Sequence, residues 1–254
     1  MELFAKKYGN GPETILIVHG LFGSLDNWHN IARSLSEKFT VFTVDLRNHG
    51  NSPHDEEMNY SVMADDLANF MLTHHLEKAH LIGHSMGGKV VMKVADLHPS
   101  IVDRLIVVDI APKKYPPGHA EIFSALLALP IKDFNSRQEA EDALAKRVDD
   151  EGVRLFLLKN LKREKGGGFS WKMNLLVIDK NYDAISEKLS LSWPFSNPTL
   201  FVKGALSQYI KAEDEADILE AFPNAVFKSI PESGHWVHAD NPTTFLSVVD
   251  NFLS

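Results

Sequence analysis

A serine set between two glycines, Gly83-His84-Ser85-Met86-Gly87, is the pattern in this 254-residue chain that most plainly carries chemistry. A serine hydroxyl at its ordinary pKa is a poor nucleophile. It needs a base, a group that orients the base, and donors for the charge that develops on the substrate oxygen. The G-x-S-x-G spacing lets a strand turn sharply into a helix, with the serine strained and its hydroxyl clear of the backbone. Composition alone would give that pattern in roughly one chain in ten of this size, so the context decides. Ala79-His80-Leu81-Ile82 before it reads as a strand, and Met86–Leu97 after it reads as a helix. Ser85 is therefore the candidate nucleophile.

Among the 12 histidines, His235 in Ser233-Gly234-His235-Trp236 is the candidate base. It follows the last strand-like run, where the C-terminal edge of a sheet would set it beside the serine, and the order serine, acid, histidine suits such an elbow. Two backbone N–H groups should meet the oxyanion. One belongs to Met86, which opens a helix whose dipole favours negative charge. The other belongs to the loop His19-Gly20-Leu21-Phe22-Gly23, with Leu21 the expected donor and Phe22 the alternative. Since backbone does this work, the side chains of Leu21 and Met86 are expected in the pocket wall. His19 and His84 flank the serine, and each is expected to orient a loop. Asp45 and Arg47 are expected to pin the loop Arg47–Ser52 through charged hydrogen bonds, with Gly50 at a tight turn. His235-x-x-His238 lacks a third ligand, so no metal is expected. Trp28, Trp171 and Trp193 read mainly as packing residues. Phe22, Trp171 and Trp236 are the candidates for lining a substrate pocket.

The elements that must position these residues recur along the chain. Short apolar runs lie at Thr14–Val18, Phe39–Val44, Ala79–Ile82, Arg104–Ile110, Thr199–Val202 and Ala225–Ile230, as strands buried on both faces should. Leu3–Lys7 reads as an edge strand. Helical patterns at Leu25–Ser36, Ser61–His75 and Met86–Leu97 separate the first four runs. Such alternation specifies an α/β architecture with a mostly parallel, doubly wound sheet. The rhythm stops after Ile110 and resumes at Thr199. From Tyr115 to Leu189 the chain reads as helices without strands, among them Glu121–Leu129, Arg137–Val148 and Glu151–Leu161, with a mobile loop expected at Lys162–Gly168. We expect residues 1–114 and 190–254 to form the core, and residues 115–189 a helical cap inserted after the sixth strand. The apolar residues of that cap favour an acyl chain over a sugar or peptide.

Composition narrows the partners. The chain is 44% hydrophobic and 24% charged, with a net charge of −8 and no cysteine. No run of Lys and Arg interleaves with aromatics, so nucleic acid is not an expected partner. The absence of cysteine removes disulfides, thiolate metal sites and a cysteine nucleophile together. The opening MELFAKKYG lacks the apolar stretch of a signal peptide, and no run of about 18 apolar residues occurs. The expectation is a cytoplasmic protein without a membrane span. Nothing in the pattern specifies an oligomeric state.

Four stretches together carry a resemblance: His19-Gly20-Leu21-Phe22-Gly23-Ser24, Asp45-Leu46-Arg47-Asn48-His49-Gly50-Asn51-Ser52, Gly83-His84-Ser85-Met86-Gly87-Gly88-Lys89 and Gly234-His235-Trp236-Val237-His238. They resemble the α/β-hydrolase superfamily and, more narrowly, its bacterial YbfF-like acyl esterases. The likeness runs in order over nearly the whole chain and includes Trp171 and Asn174. It implies hydrolysis of a small-molecule acyl ester or thioester, with no cofactor. One position departs from the superfamily's pattern. Many members carry the acid after the seventh strand as G-x-x-D, whereas Gly204-Ala205-Leu206-Ser207 puts a serine there. A serine cannot supply the charge that stabilises an imidazolium, so either catalysis is impaired or the carboxylate comes from elsewhere. Asp109 is the expected replacement. It ends a strand that should lie between the elbow strand and the Thr199 strand, at the edge that carries His235, and the resemblance points to it as well. Ser207 should then hydrogen-bond within the same cluster. Glu213, Asp214 and Asp217 compete from a helix a few residues further on. The expected activity is that of a serine carboxylesterase or acyl thioesterase. A C–C-bond hydrolase or haloperoxidase-like member of the same fold, and a non-catalytic ligand-binding protein, stay open as alternatives.

Overall fold

The apolar runs pair edge to edge because each offers buried side chains to both faces of a sheet. The computed structural model describes residues 1–254. Its strands are β1 (Ala5–Tyr8), β2 (Thr14–Val18), β3 (Thr40–Val44), β4 (Ala79–His84), β5 (Val102–Val108), β6 (Leu161–Arg163), β7 (Phe169–Trp171), β8 (Thr199–Gly204) and β9 (Ala225–Ile230). Seven form one sheet in the order β1-β3-β2-β4-β5-β8-β9. The edge strand β1 is antiparallel to β3, and every other pair in that sheet is parallel.

Successive residues serve opposite faces. Leu16, Val18, Leu81 and Leu105 join the core beneath the helix Tyr60–Thr73 and the elbow helix Met86–Leu97. Ile15, Ile17, Ile82 and Ile106 pack against the helices His29–Leu35 and Pro242–Leu253. Each such side chain contributes roughly 1.5–3 kcal/mol by leaving water. Two-sided burial explains why the strands read as unbroken apolar runs, and parallel pairing brings their C-terminal ends to one rim.

Several expectations from the sequence need correction. The segment between β5 and β8 is not strand-free. Besides five short helices it contains the antiparallel ribbon β6–β7, which pairs Leu161 with Trp171 and Arg163 with Phe169. Lys162–Gly168 is accordingly the last two residues of a strand and a turn, not a free loop, and the Phe169 N–H closes onto the Ile131 carbonyl at 2.8 Å. The helix expected to reach Leu161 stops at Leu158, because the Arg137 guanidinium takes the carbonyls of Leu158 and Leu161, each at 2.7 Å. The helix expected to reach Val148 stops at Leu144, and Arg154 takes the carbonyls of Val148 and Asp149. Leu25–Ser36 divides into a 3-10 turn, Leu25–Trp28, and the helix His29–Leu35. There the Asn27 side chain reaches back to the Ser24 N–H at 2.7 Å. The strand before the insertion is the fifth in chain order, because a single strand, β1, precedes the parallel set. Trp28 is buried as expected, but Trp193 is 78% exposed on the segment returning to β8. No helix is long and apolar enough to cross a membrane.

Candidate active site

The elbow forms where β4 runs out of sheet. His84 is paired with Val108 on β5, and the Ser85 N–H then donates to the Val108 carbonyl at 3.0 Å. Ser85 adopts φ 53° and ψ −122°, a conformation that costs a side chain about 1 kcal/mol or more. The flanking glycines permit it. A Cβ on Gly83 would lie 2.3 Å from the Gly87 carbonyl oxygen, and one on Gly87 would lie 2.4 Å from that of His19.

His235 meets Ser85 from the loop after β9. Its Nε2 lies 2.9 Å from Ser85 Oγ, and its Nδ1–H donates to Asp109 Oδ2 at 2.7 Å. A carboxylate only accepts, so Nδ1 holds the ring proton and the Nε2 lone pair faces the serine hydroxyl. Asp109 is fully buried at the end of β5, with φ 52°. Its carboxylate also accepts from the Ser207 hydroxyl and from the Gly204 N–H at 3.2 Å. Ser207 thus hydrogen-bonds within the same cluster as Asp109 and His235. The competing carboxylates lie elsewhere. Asp214 pairs with Lys113 and caps the Lys211 N–H, and Glu213 faces Lys211. One neighbour escaped the sequence reading. The Tyr209 ring stacks on His235 with centroids 3.7 Å apart, and its backbone carbonyl accepts from Tyr115 at 2.7 Å.

The loop after β2 makes a tight turn, with the Gly23 N–H donating to the Gly20 carbonyl at 3.0 Å. His19 Nδ1–H donates to the same carbonyl at 2.8 Å, and its Nε2 accepts from the Leu46 N–H at 3.0 Å. Those two bonds on the Gly20 carbonyl fix the peptide plane that carries the Leu21 N–H. The N–H groups of Leu21, Phe22 and Met86 take no acceptor within the protein. Phe22 is buried against Phe123 at 5.0 Å and adopts φ 58°. Trp236 meets Phe156 of the insertion at 5.3 Å, whereas Trp171 sits across the ribbon from Leu161 and is half-buried there.

The remaining polar residues hold loops. His84 Nε2–H donates to the His235 carbonyl at 2.8 Å, tying the serine's neighbour to the histidine's loop. Asp45 accepts from the N–H groups of Leu25 and Asn51, and Arg47 pairs with Asp66 through two nitrogens. The His238 ring lies stacked on Trp28 at 4.0 Å.

Burial keeps these histidines neutral. It lowers His19 to about 4 and, aided by neighbouring imidazoles, His49 and His238 to about 3, and it holds His84 well below the usual range. An unfolded imidazole titrates near 6.5, so between that pH and the folded values the unfolded chain binds more protons. Stability is therefore full above about pH 6.5 and falls as the solution is acidified, by on the order of 1–2 kcal/mol per buried histidine at pH 5. Burial raises the Asp45 carboxyl, which acts in the opposite sense but as one group against four. Urea titrations at pH 7.5 and pH 5 should show the midpoint falling clearly, and equal midpoints would contradict the neutral assignment.

Comparison with known proteins places this geometry in a family. The sequence profile of the α/β-hydrolase fold matches residues 13–242. The esterase YbfF of Escherichia coli (strain K12) is 39% identical over 251 residues, covering 98% of this chain and 95% of that protein. The sn-1-specific diacylglycerol lipase ABHD11 of Danio rerio is 40% identical over 255 residues, covering 96% of this chain and 80% of that protein. A solved structure of a marine microorganism esterase superposes with a TM-score of 0.97 at 42% identity, with 99% of each chain covered. With an elbow serine, a histidine and a buried carboxylate at one sheet rim, the chain belongs to the α/β-hydrolase fold family, among its YbfF-like esterases.

Proposed function

We propose that the chain hydrolyses carboxylic esters and thioesters of acyl groups through an acyl-serine intermediate, with Ser85, His235 and Asp109 as the catalytic residues. One observation carries the proposal: a single imidazole lies within hydrogen-bond reach of both the elbow serine and the buried carboxylate. In the first half-reaction Ser85 Oγ attacks the acyl carbon as its proton passes to His235 Nε2. The carbonyl oxygen becomes an oxyanion facing the N–H groups of Met86 and Leu21, with Phe22 adjacent. Asp109 stabilises the imidazolium without taking its proton. Collapse expels the alcohol or thiol, which receives the proton from Nε2. Water then repeats the sequence on the acyl-serine and releases the acid. Each oxyanion donor in such sites is worth about 3–4 kcal/mol. The aromatic side chains of Phe22, Phe123, Phe156 and Trp236 around the rim suit an acyl chain, and the relatives named above are by name two esterases and a diacylglycerol lipase.

The test is a panel of p-nitrophenyl esters and acyl-coenzyme A thioesters of graded length, run beside labelling with a fluorophosphonate. Turnover of acyl esters with a phosphonyl adduct on the Ser85 peptide is the expected result. Failure of every substrate together with failure to label would favour a binding protein. Labelling with turnover of a C–C substrate alone would favour that branch of the fold, and an adduct on another residue would overturn the assignment of Ser85.

A further inference from the structure

We infer that Asn160, in the insertion, is a positioning residue that clamps the oxyanion turn, so that docking of the insertion onto the core completes the oxyanion site. The inference rests on the esterase reading above and extends it to a residue that does not itself touch the substrate.

The turn Gly20-Leu21-Phe22-Gly23 has its only positive φ at its third residue, Phe22, and is closed by the Gly23 N–H on the Gly20 carbonyl. That is the pattern of a type II turn, whose third position favours glycine. A phenylalanine there is strained, and rotation about its N–Cα bond, which swings the Phe22–Gly23 peptide, relieves the strain. That swing would carry the Gly23 N–H off the Gly20 carbonyl, and so remove one of the two bonds that fix the plane of the Leu21 N–H. Something must hold the strained form, and the core supplies no partner for the Phe22 carbonyl. Asn160 does: its Nδ2 donates to that carbonyl at 2.7 Å across 138 residues of sequence.

Asn160 is itself well fixed. It is 3% exposed, lies between the helix Glu151–Leu158 and β6, and its carbonyl accepts from the Lys172 N–H at 2.8 Å. Its Nδ2 also reaches the Leu157 carbonyl at 3.2 Å. Phe22 is held from the same side by Phe123 and by the edge of His119, both from the insertion. The hold on Phe22 itself therefore comes from the segment that covers the site. Displacing that segment would release the turn as well as open the pocket.

The experiment uses Asn160→Asp, which keeps the side-chain shape but sets a carboxylate oxygen against the carbonyl, and Asn160→Ala. Three quantities are measured on the whole chain: kcat and KM with a short p-nitrophenyl ester, Ki for an aryl trifluoromethyl ketone, and Ki for the matching methyl ketone. The trifluoromethyl ketone forms an oxyanion on Ser85, and the methyl ketone reports ground-state binding. The clamp predicts a 10- to 100-fold fall in kcat and an equal weakening of the trifluoromethyl ketone, with KM and the methyl ketone within about twofold. Equal weakening of both ketones, or no fall in kcat, would overturn it. A second arm guards against a misfolded Asn160→Asp protein. Asn160→Ala is made in the native background and in Phe22→Gly, where a glycine holds the positive φ without strain. The clamp predicts a markedly smaller loss of kcat in the Phe22→Gly background, and equal losses would sink it. Failure of the unaltered protein to turn over any ester appears before a variant is made and brings down the esterase reading itself.

Discussion

Ser85→Ala and His235→Ala should each lower kcat by about six orders of magnitude, and the double variant should be no slower than either alone. The size follows from serine hydrolases whose nucleophile and base act as one unit: with either gone, the other has nothing to do. In this chain the geometry makes the same demand, because the Nε2 that faces Ser85 Oγ at 2.9 Å has no other hydrogen-bond partner. What remains in each variant is the oxyanion turn and the pocket, which in such enzymes still give about 10³- to 10⁴-fold over water. The fold should survive the serine change, since alanine and serine meet the same cost at φ 53°. Steady-state kinetics of the three variants, with thermal melts as a control, decide the matter. A serine variant within tenfold of the native rate, or a double variant far slower than both singles, would break the nucleophile–base assignment.

The architecture was legible because its signals are local and repeated. Six apolar runs bounded by turn residues became six parallel strands, and Thr14–Val18 and Ala225–Ile230 matched to the residue. The insertion read less well, for a physical reason. Strands of three residues, such as Leu161–Arg163, are too short to show alternation, and the ends of the neighbouring helices are set by guanidinium groups from elsewhere, Arg137 and Arg154. The place of Asp109 beside His235 could be foreseen because strand order puts the end of β5 between the elbow strand and β8. Tyr209 could not, although it lies two residues beyond Ser207. Which way a loop aromatic turns depends on bonds such as that of Tyr115 to its carbonyl, and no periodicity records them. Trp193 shows the converse error. Its size suggested packing, yet it sits in a return segment that leaves it facing solvent. Asn160 carried no sequence signal, since one asparagine in a helical insertion says nothing about a carbonyl 138 residues earlier.

Asp109→Asn is expected to lower kcat by about four orders of magnitude, close to 5.5 kcal/mol of transition-state stabilisation. The cause is the tautomer as much as the charge. Asp109 Oδ2 now accepts from His235 Nδ1–H and from the Ser207 hydroxyl, while Oδ1 accepts from the Gly204 N–H. The Gly204 N–H keeps an acceptor if the asparagine oxygen takes the Oδ1 place, which turns the amide NH₂ toward His235. Nδ1 must then accept, and its proton moves to Nε2, where it points at Ser85 and leaves no lone pair to receive the serine proton. Ser207→Ala makes a sharp contrast. It removes one of three donors from the carboxylate but keeps the charge and the tautomer, so its loss should be far smaller than that of Asp109→Asn. Asp214→Asn touches neither, since Asp214 serves Lys113 and the Lys211 N–H, and should stay near the native rate. The ordering is measured by kcat for the three variants on one ester and by the rate of fluorophosphonate labelling, which must fall in step with kcat for Asp109→Asn. If Asp109→Asn hydrolyses at close to the native rate while Asp214→Asn is dead, the buried carboxylate at the end of β5 is only a scaffold for its loop, and the acid must reach His235 from the helix beyond β8.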